Sequence, residues 1–528
     1  MNTTNPSKPE LARDLGLSHS WAIVVGTIIG SGIFLVPSEM MRAVGSARLV
    51  YFVWIVGGLL SFFGALTYAE LGAMKPQTGG EYIYIRDAYG PLAGFLYGWT
   101  WFLIAKPASI ATITTALVLI LGNLPPFSFF ANPLVSRLFT VTYGQLVAIG
   151  AAILVSWLNY IGVRKAGGFQ FLFTLLKVTT ILGIVAVGFL YNGTWANFAT
   201  QFTGARGGVA GFFAALVAAL WAYDGWNDLN MAAGEIRDAR RNIPLALIGG
   251  VATVGALYIL VNAAVQYVLP AAAVAATARP VSEAVRVVLG YAGAGLVSAA
   301  MAVSMLVTLN GTILSGARVP FAMARDGYFF KSLAEVHPRF RTPSVAIIVQ
   351  CALAIILLLL GGNFRQFFSL AIFAEWLFYM IAGSTVFVFR YREPQADRPY
   401  RVWGYPVVPA VFVLVSAVVL YFTFTDNLRN STAGTLAILA GIPVYYSFKK
   451  AGLAIWEALV FVLVLIGAEF HSWNVKLICA VIGGICIALA KRARNRVRER
   501  IQVIRDNAAR EIEQNLEDDK SQEQGSVD

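Results

Sequence analysis

The stretch VGTIIGSGIF, residues 25–34, puts glycines at positions 26, 30 and 32 and a serine at 31 inside the first long apolar run of the chain. Glycine in a helix interior is less favourable than alanine by about 1 kcal/mol. In hydrocarbon, an opened helix also strands N–H and C=O groups that water cannot reach. A second stretch repeats the oddity: LWAYDGWNDLN, residues 220–230, sets Gly225 beside the charged Asp224 in the sixth apolar run. Interrupted helices at corresponding positions of two halves are the sequence signature of a transporter built from inverted repeats. Spans one and six are five apart, so they run in opposite directions. Small residues also let helices pack closely, but that explains neither the matched positions nor the aspartate.

Composition points the same way. The 528 residues are 58% hydrophobic and 13% charged, whereas soluble proteins carry about 25% charged residues. Charge-free stretches such as Leu49–Ala69, Leu245–Pro270, Pro343–Gly362 and Val402–Thr425 can each cross a hydrocarbon core of about 30 Å. The expected fold is an all-α polytopic membrane protein. A tail over 1–18 precedes a first repeat over 19–203 and a second over 204–390. A further pair of spans covers 391–448, an extra hairpin 449–490, and a tail, basic then acidic, 491–528. The sixth span is expected over 207–232 and the eighth over 290–317. Most of the 40 Lys and Arg residues fall in loops and tails on the side of the N-terminus, which predicts both termini to be cytoplasmic. The net charge of +12 therefore reports orientation in the membrane rather than a nucleic-acid partner. The N-terminus has no apolar core of a cleaved signal peptide.

The broken helices also predict a ligand. The first break leaves a C-terminal end near Ile28 and an N-terminal end near Ser31, Gly32 and Ile33. The second leaves a C-terminal end near Trp221–Tyr223 and an N-terminal end near Gly225–Trp226. Free carbonyls at the former favour a cation, and free amides at the latter an anion. Four half-helix ends meeting at mid-membrane suit a zwitterion such as an amino acid. Gly30, Gly32 and Gly225 would then act as hinges, with Trp221 and Tyr223 at the pocket.

These residues resemble a known family. VGTIIGSGIF, LWAYDGWNDLN, TYAELGAM (67–74), TGGEYIYIRDAYG (78–90), IAKPAS (104–109), EIRDARRNIPLAL (235–247), NGTILSGARVPFAMARDGYF (310–329), HPRFRTPSVAI (337–347), FAEWLFY (373–379) and RPYRVWGYPVVP (398–409) resemble the amino acid–polyamine–organocation superfamily. The pattern is most similar to bacterial members of its L-type amino acid transporter family, and it covers roughly residues 15–450. The resemblance implies a leucine-transporter-like fold of five plus five inverted helices with broken helices one and six, and two more spans behind, making twelve core helices before the extra hairpin. It implies sodium-independent amino acid transport in the bacterial inner membrane, commonly by exchange, with no cofactor. It further implies that the substrate carboxylate meets the amides of Ser31 and Gly32, that the ammonium meets the carbonyls of Ile28, Trp221 and Asp224, and that Trp221 acts as an outer lid. In eukaryotic members a cysteine between spans three and four bonds a heavy chain. The loop NLPPFSFFANPLVSRLFT has none, so no disulfide-linked partner is expected. Asp224 stands where the best-known animal members have glycine, so their side-chain selectivity does not transfer.

Ionisable residues inside the membrane are functional candidates by default. Lys177 in span five lies at a depth similar to the first break, as do Thr308 and Asn310 in span eight. Its ammonium is expected to reach span-one carbonyls and span-eight side chains, as a fixed cation where related transporters bind sodium. Lys106 in span three, Asp224 in span six and Glu375 in span ten fall near mid-depth. Lys106 is expected to pair with one of the two carboxylates, because an unpaired charge there is costly. Glu70, Glu81, Arg86 and Arg325 sit near the cytoplasmic ends and read as caps and gate ion pairs rather than ligands.

Other classes fit less well. A sodium symporter of the same fold conflicts with Lys177. An amine, polyamine or cationic amino acid carrier needs more anionic groups in the pocket, for which Asp224 and Glu375 are candidates. A non-transporting receptor of the same fold stays open. No metal-ligand spacing, nucleophile elbow or phosphate loop points to an enzyme. The three histidines (19, 337, 471) are far apart, and Cys351, Cys479 and Cys486 lie in apolar runs.

Overall fold

The computed structural model describes residues 11, 13–122, 125–135, 141–191, 193–361, 364–426 and 428–449. The extra hairpin from 450 to 490, the basic and acidic tail, and most of the N-terminal tail lie outside the described residues. The chain divides into two compact units, Met1–Leu439 and Ala440–Asp528. All the features below belong to the first. The described part of the second is the single helix Gly441–Lys449.

The first apolar run forms two helices, α1 (Leu17–Ile28) and α2 (Gly32–Val44), followed by α3 (Ala47–Met74) and the short α4 (Glu81–Tyr89). The third span starts as α5 (Pro91–Thr100), passes through a π turn at Trp101–Ala105 and continues as α6 (Lys106–Leu121). Next come α7 (Tyr143–Tyr160), α8 (Val163–Leu190), α9 (Gly208–Tyr223), the four-residue α10 (Asp228–Met231), α11 (Ala239–Val268) and α12 (Ala271–Ala276). The rest of the unit is α13 (Pro280–Gly316), α14 (Arg318–Arg325), α15 (Ser344–Leu360), α16 (Phe364–Arg392), α17 (Val407–Asp426) and α18 (Leu428–Leu439). Among the described residues, nine helices are long and apolar enough to cross a membrane. Strand structure there amounts to one two-stranded ribbon between α6 and α7.

Both expected interruptions occur. In the first, α1 ends where Ile29 turns to ψ 83°, and Gly32 opens α2. In the second, α9 stops at Asp224 in extended backbone (ψ 155°), and Gly225 follows at φ 96°. Only glycine takes that value without strain. The sixth span is therefore helical only to Tyr223, with one further turn in α10. The eighth starts earlier than expected, at Pro280, and kinks at Gly290 (φ 71°).

The two breaks lie side by side and antiparallel. A Cβ on Gly32 would come within 2.4 Å of the Ala222 Cα, and one on Gly225 within 2.7 Å of the Thr27 side chain. Advancing along the first helix thus meets the second in reverse order. Gly32 has helical backbone, so its glycine serves close approach rather than an unusual dihedral. Gly30, whose Cβ would touch Thr308 at 3.0 Å, does the same against α13. Around this pair, α1 packs on α8, α11 and α13, and α2 packs on α9.

Gly32→Ala should lower the thermal stability of the detergent-purified protein by about 1–3 kcal/mol, because the added methyl meets backbone that cannot rotate away. Gly150→Ala, where a Cβ would meet nothing within 4 Å, should be neutral or stabilising by up to about 1 kcal/mol. Equal melting shifts for the two would contradict this packing.

Candidate functional site

The breaks open onto a cavity with about 360 Å³ of space between atoms. Thr27, Ile28, Gly30, Ser31 and Gly32 line it from the first broken helix, and Trp221, Asp224, Gly225 and Asp228 from the second. Lys106, Ser109 and Ile113 of α6 and Thr308 and Thr312 of α13 complete the wall.

The half-helix ends differ in how they are satisfied. Among the described residues, the amides of Ser31, Gly32 and Ile33 have no backbone partner; the first bonds of α2 run from Phe34 and Leu35 to Ser31 O. With the helix dipole behind them, these amides suit an anion. The C-terminal ends are occupied instead. Ile28 O accepts from the Tyr258 hydroxyl at 3.0 Å, and Trp221 O accepts from the Asp224 amide at 3.2 Å. A carbonyl oxygen has two lone pairs, so each keeps room for one more donor. Four lining atoms, Thr27 Oγ1, Ser31 Oγ, Trp221 Nε1 and Asp228 Oδ2, are buried with no protein partner among the described residues. An unpaired buried polar group costs about 1–3 kcal/mol, so this wall suits a polar ligand.

Lys177 of α8 stands behind the first break. Its Nζ donates to Gly26 O and Ile29 O, both at 2.7 Å, and to Thr308 Oγ1 at 2.9 Å. That uses all three hydrogens of the ammonium. Gly26 permits the approach of α8, since a Cβ there would fall 2.2 Å from Thr174 Oγ1. Asn310, expected beside Lys177, instead donates to Gln170 at 3.0 Å and accepts from Asn159 at 2.9 Å. The reason is helical geometry: positions two apart, such as 308 and 310, face different sides.

Lys106 emerges from the π turn. Pro107 cannot donate to the preceding turn, and the Lys106 amide reaches back five residues to Trp101 O. Such bulges re-aim the next side chains. The Lys106 ammonium lies 4.2 Å from the centre of the Trp101 ring, 3.0 Å from Asp228 Oδ1 and 3.5 Å from Glu375 Oε1. Of the two carboxylates expected as partners, Glu375 pairs with Lys106, but the nearest carboxylate is Asp228, which was not among them. Asp224 Oδ1 accepts from the Tyr379 hydroxyl at 2.9 Å, and that hydroxyl is also 3.0 Å from Asn227 Oδ1. Glu375 lies behind the wall, accepting from Ser109 at 3.2 Å.

Of the residues singled out, Ile28, Gly30, Ser31, Gly32, Lys106, Trp221, Asp224, Gly225 and Thr308 line one cavity. Ile33, Lys177, Tyr223, Asn310 and Glu375 are not on its wall. Tyr223 turns to α3, where its hydroxyl donates to Trp54 O at 3.3 Å. Glu70 is an ion-pair partner as expected, 2.7 Å from Arg390 and 3.4 Å from Arg398, and Arg86 pairs with Asp87 and Asp326. Glu81 departs from the gate pattern. It is buried and accepts from the neutral Tyr97 hydroxyl at 2.6 Å and the Asn227 amide at 2.8 Å. Burial pushes its carboxyl up to about 7, with those two hydrogen bonds pulling the other way.

Residues 15–468 match a family model described as amino acid permease. The Serine/threonine exchanger SteT of Bacillus subtilis (strain 168) is 35% identical over 447 residues, covering 83% of this chain and 98% of that protein. The b(0,+)-type amino acid transporter 1 of Homo sapiens is 32% identical over 458 residues, 85% of this chain and 90% of that protein. The Asc-type amino acid transporter 1 of Mus musculus is 30% identical over 456 residues, 83% and 81% of the two chains.

Two outcomes test this site. Lys106→Met should destabilise by about 3–5 kcal/mol, because it strands buried carboxylates. Adding Asp228→Asn should recover part of that in thermal melts; a double variant no better than its parents would refute the pairing. For Glu81, a folded pKa above the unfolded one adds stability that is complete below the unfolded value and lost as pH rises through the folded one. The melting temperature of the unmodified protein, relative to Glu81→Gln, should therefore fall between about pH 5 and 8. A difference that stays flat would show that Glu81 does not titrate in that window.

Proposed function

The chain belongs to the amino acid permease family, and is an integral multi-pass membrane transporter of amino acids rather than an enzyme; from that premise we propose that it carries neutral L-amino acids without sodium. It works by exchange or proton coupling, through alternating access, in a bacterial inner membrane with both termini cytoplasmic. The carboxylate docks on the amides of Ser31, Gly32 and Ile33. The ammonium docks on the free lone pairs of Ile28, Trp221 and Asp224. Trp221, with Gly30, Gly225 and Tyr223, belongs to the moving parts. No disulfide-linked heavy chain takes part.

The observation that carries sodium independence is the Lys177 ammonium. A sodium ion at the first break would need the oxygens of Gly26, Ile29 and Thr308. Lys177 already donates to each of them within 2.9 Å. The Lys177 Nζ therefore stands where a sodium ion would have to sit to reach these three oxygens. Exchange is supported by the printed name of the Bacillus relative.

A second reading, transport of cationic amino acids or amines, has one observation in its favour. Asp224 and Asp228 line the cavity and Glu375 lies behind it, facing the one lysine, Lys106, on the described wall. Competition by L-arginine and by L-alanine against one labelled substrate separates the two.

Purified protein in liposomes should take up labelled neutral amino acids at the same rate with and without an inward sodium gradient. Lys177→Met should cut uptake by about tenfold or more, since it leaves buried carbonyls unpaired, while the protein still reaches the membrane. Sodium-stimulated uptake by the unmodified protein would overturn the reading.

A further inference from the structure

Among the described residues, four of the five buried carboxylates have a cation at hand: Glu70 has Arg390, Glu235 has Arg318, and Asp228 and Glu375 share Lys106. Glu81, the first residue of α4, is the fifth and has no ion-pair partner there. Its Oε2 accepts from the Tyr97 hydroxyl of α5 at 2.6 Å, and its Oε1 accepts from the side-chain amide of Asn227 at 2.8 Å. The other titratable groups close to it are the hydroxyls of Tyr68 on α3, Tyr84 on α4 and Tyr379 on α16, which are neutral at ordinary pH. Lys106 of α6 is held by Asp228 and acts on Glu81 only through space. On α14 and α16, Arg318, Arg390 and Arg392 bond to Glu235, Glu70 and Ala88 O. Asp326, just past α14, pairs with Arg86.

Both partners of Glu81 lead to the inner half of the second broken helix. Asn227 is the residue before α10, and the Tyr97 hydroxyl lies 3.8 Å from Sδ of Met231, the last residue of α10. The carboxyl therefore has two supported forms. Ionised, it accepts from both donors. Protonated at Oε2, it donates to the Tyr97 oxygen, whose hydrogen turns to the weak acceptor Met231 Sδ. Hydrogen bonds to an ionised acceptor are roughly twice as strong as neutral ones, so the ionised form grips Asn227 harder.

We propose that Glu81 is a proton-binding site that controls the inner half of the second broken helix: ionised, it clamps Asn227 and with it α10; protonated, it lets that segment move. This rests on reading the protein as an amino acid transporter with alternating access, in which that half shifts to open the cavity inward. The clamp also bears on the cavity wall. Asn227 turns its Oδ1 to the Tyr379 hydroxyl at 3.0 Å, and that hydroxyl lies 2.9 Å from Asp224 Oδ1. The proton comes from water and returns to it, and no bond other than O–H forms or breaks.

The test uses the full chain in liposomes loaded with unlabelled L-alanine, with labelled L-alanine outside and equal pH on both sides. Vmax should fall about three- to tenfold, the worth of one hydrogen bond, as pH rises through a midpoint of about 7. Glu81→Gln, permanently neutral, should keep the low-pH rate at every pH. Tyr97→Phe removes a donor to the carboxylate, which favours the protonated form, and should move the midpoint up by about one to two pH units. Because Tyr97→Phe keeps the carboxyl, its midpoint tests the proposal even where Glu81→Gln does not reach the membrane. Uptake with a flat pH profile, a profile unchanged in Glu81→Gln, or an unmoved midpoint in Tyr97→Phe would each overturn this proposal alone. Absence of uptake of any neutral amino acid would overturn the functional reading and this proposal with it.

Discussion

A helix opened inside a membrane exposes backbone dipoles where no water can satisfy them, and the centre of this protein is organised around that constraint. Ile29 and Asp224 end two helices in mid-run, and Lys177, Thr308 and Tyr258 are placed to receive what the breaks release. The supporting residues come from α8, α11 and α13, the helices that pack on α1. The scaffold and the site are thus one arrangement: the helices that hold the broken pair also supply the donors that make the breaks tolerable.

The two ends of the breaks are treated unequally. Carbonyls at the C-terminal ends already carry protein donors and keep a second lone pair free. Amides at the start of α2 have no backbone partner. In the proposed binding mode, a carboxylate meets a preformed anion site, while an ammonium enters an existing hydrogen-bond network. If both groups are recognised through backbone, as proposed, side-chain preference falls to the remaining wall, where Ser109, Thr312, Asp224 and Asp228 are polar and Ile113 and Trp221 largely apolar.

Lys106 links this wall to its surroundings. Its charge is balanced by Asp228 and Glu375 and faced by the Trp101 ring. From Asp224 a series of close polar contacts runs to Glu81 through the Tyr379 hydroxyl, whose one hydrogen serves either Asp224 or Asn227, and through the Asn227 amide. A group outside the spans is thereby connected to the cavity by neutral hydrogen-bonding side chains.

Several features were legible in the sequence because they follow from local chemistry. Charge-free runs of sufficient length dictate spanning helices. Glycines inside the first and sixth apolar runs announce the breaks, and the spacing of those two spans announces opposite directions. The depth of Lys177 follows from counting residues along a helix of known rise. Other features depend on which helices become neighbours. Asp228 rather than Asp224 lies nearest Lys106 because the π turn at Trp101–Ala105 re-aims α6. Asn310 leaves the Lys177 cluster because it faces Asn159 and Gln170. Tyr258 is one tyrosine among 21 until α11 carries it to within 3.0 Å of Ile28 O. Where the backbone opens could be read from the chain alone, since glycine and charge act on their own helix. What meets the opened backbone depended on how the helices pack, since those partners lie tens to hundreds of residues away along the chain.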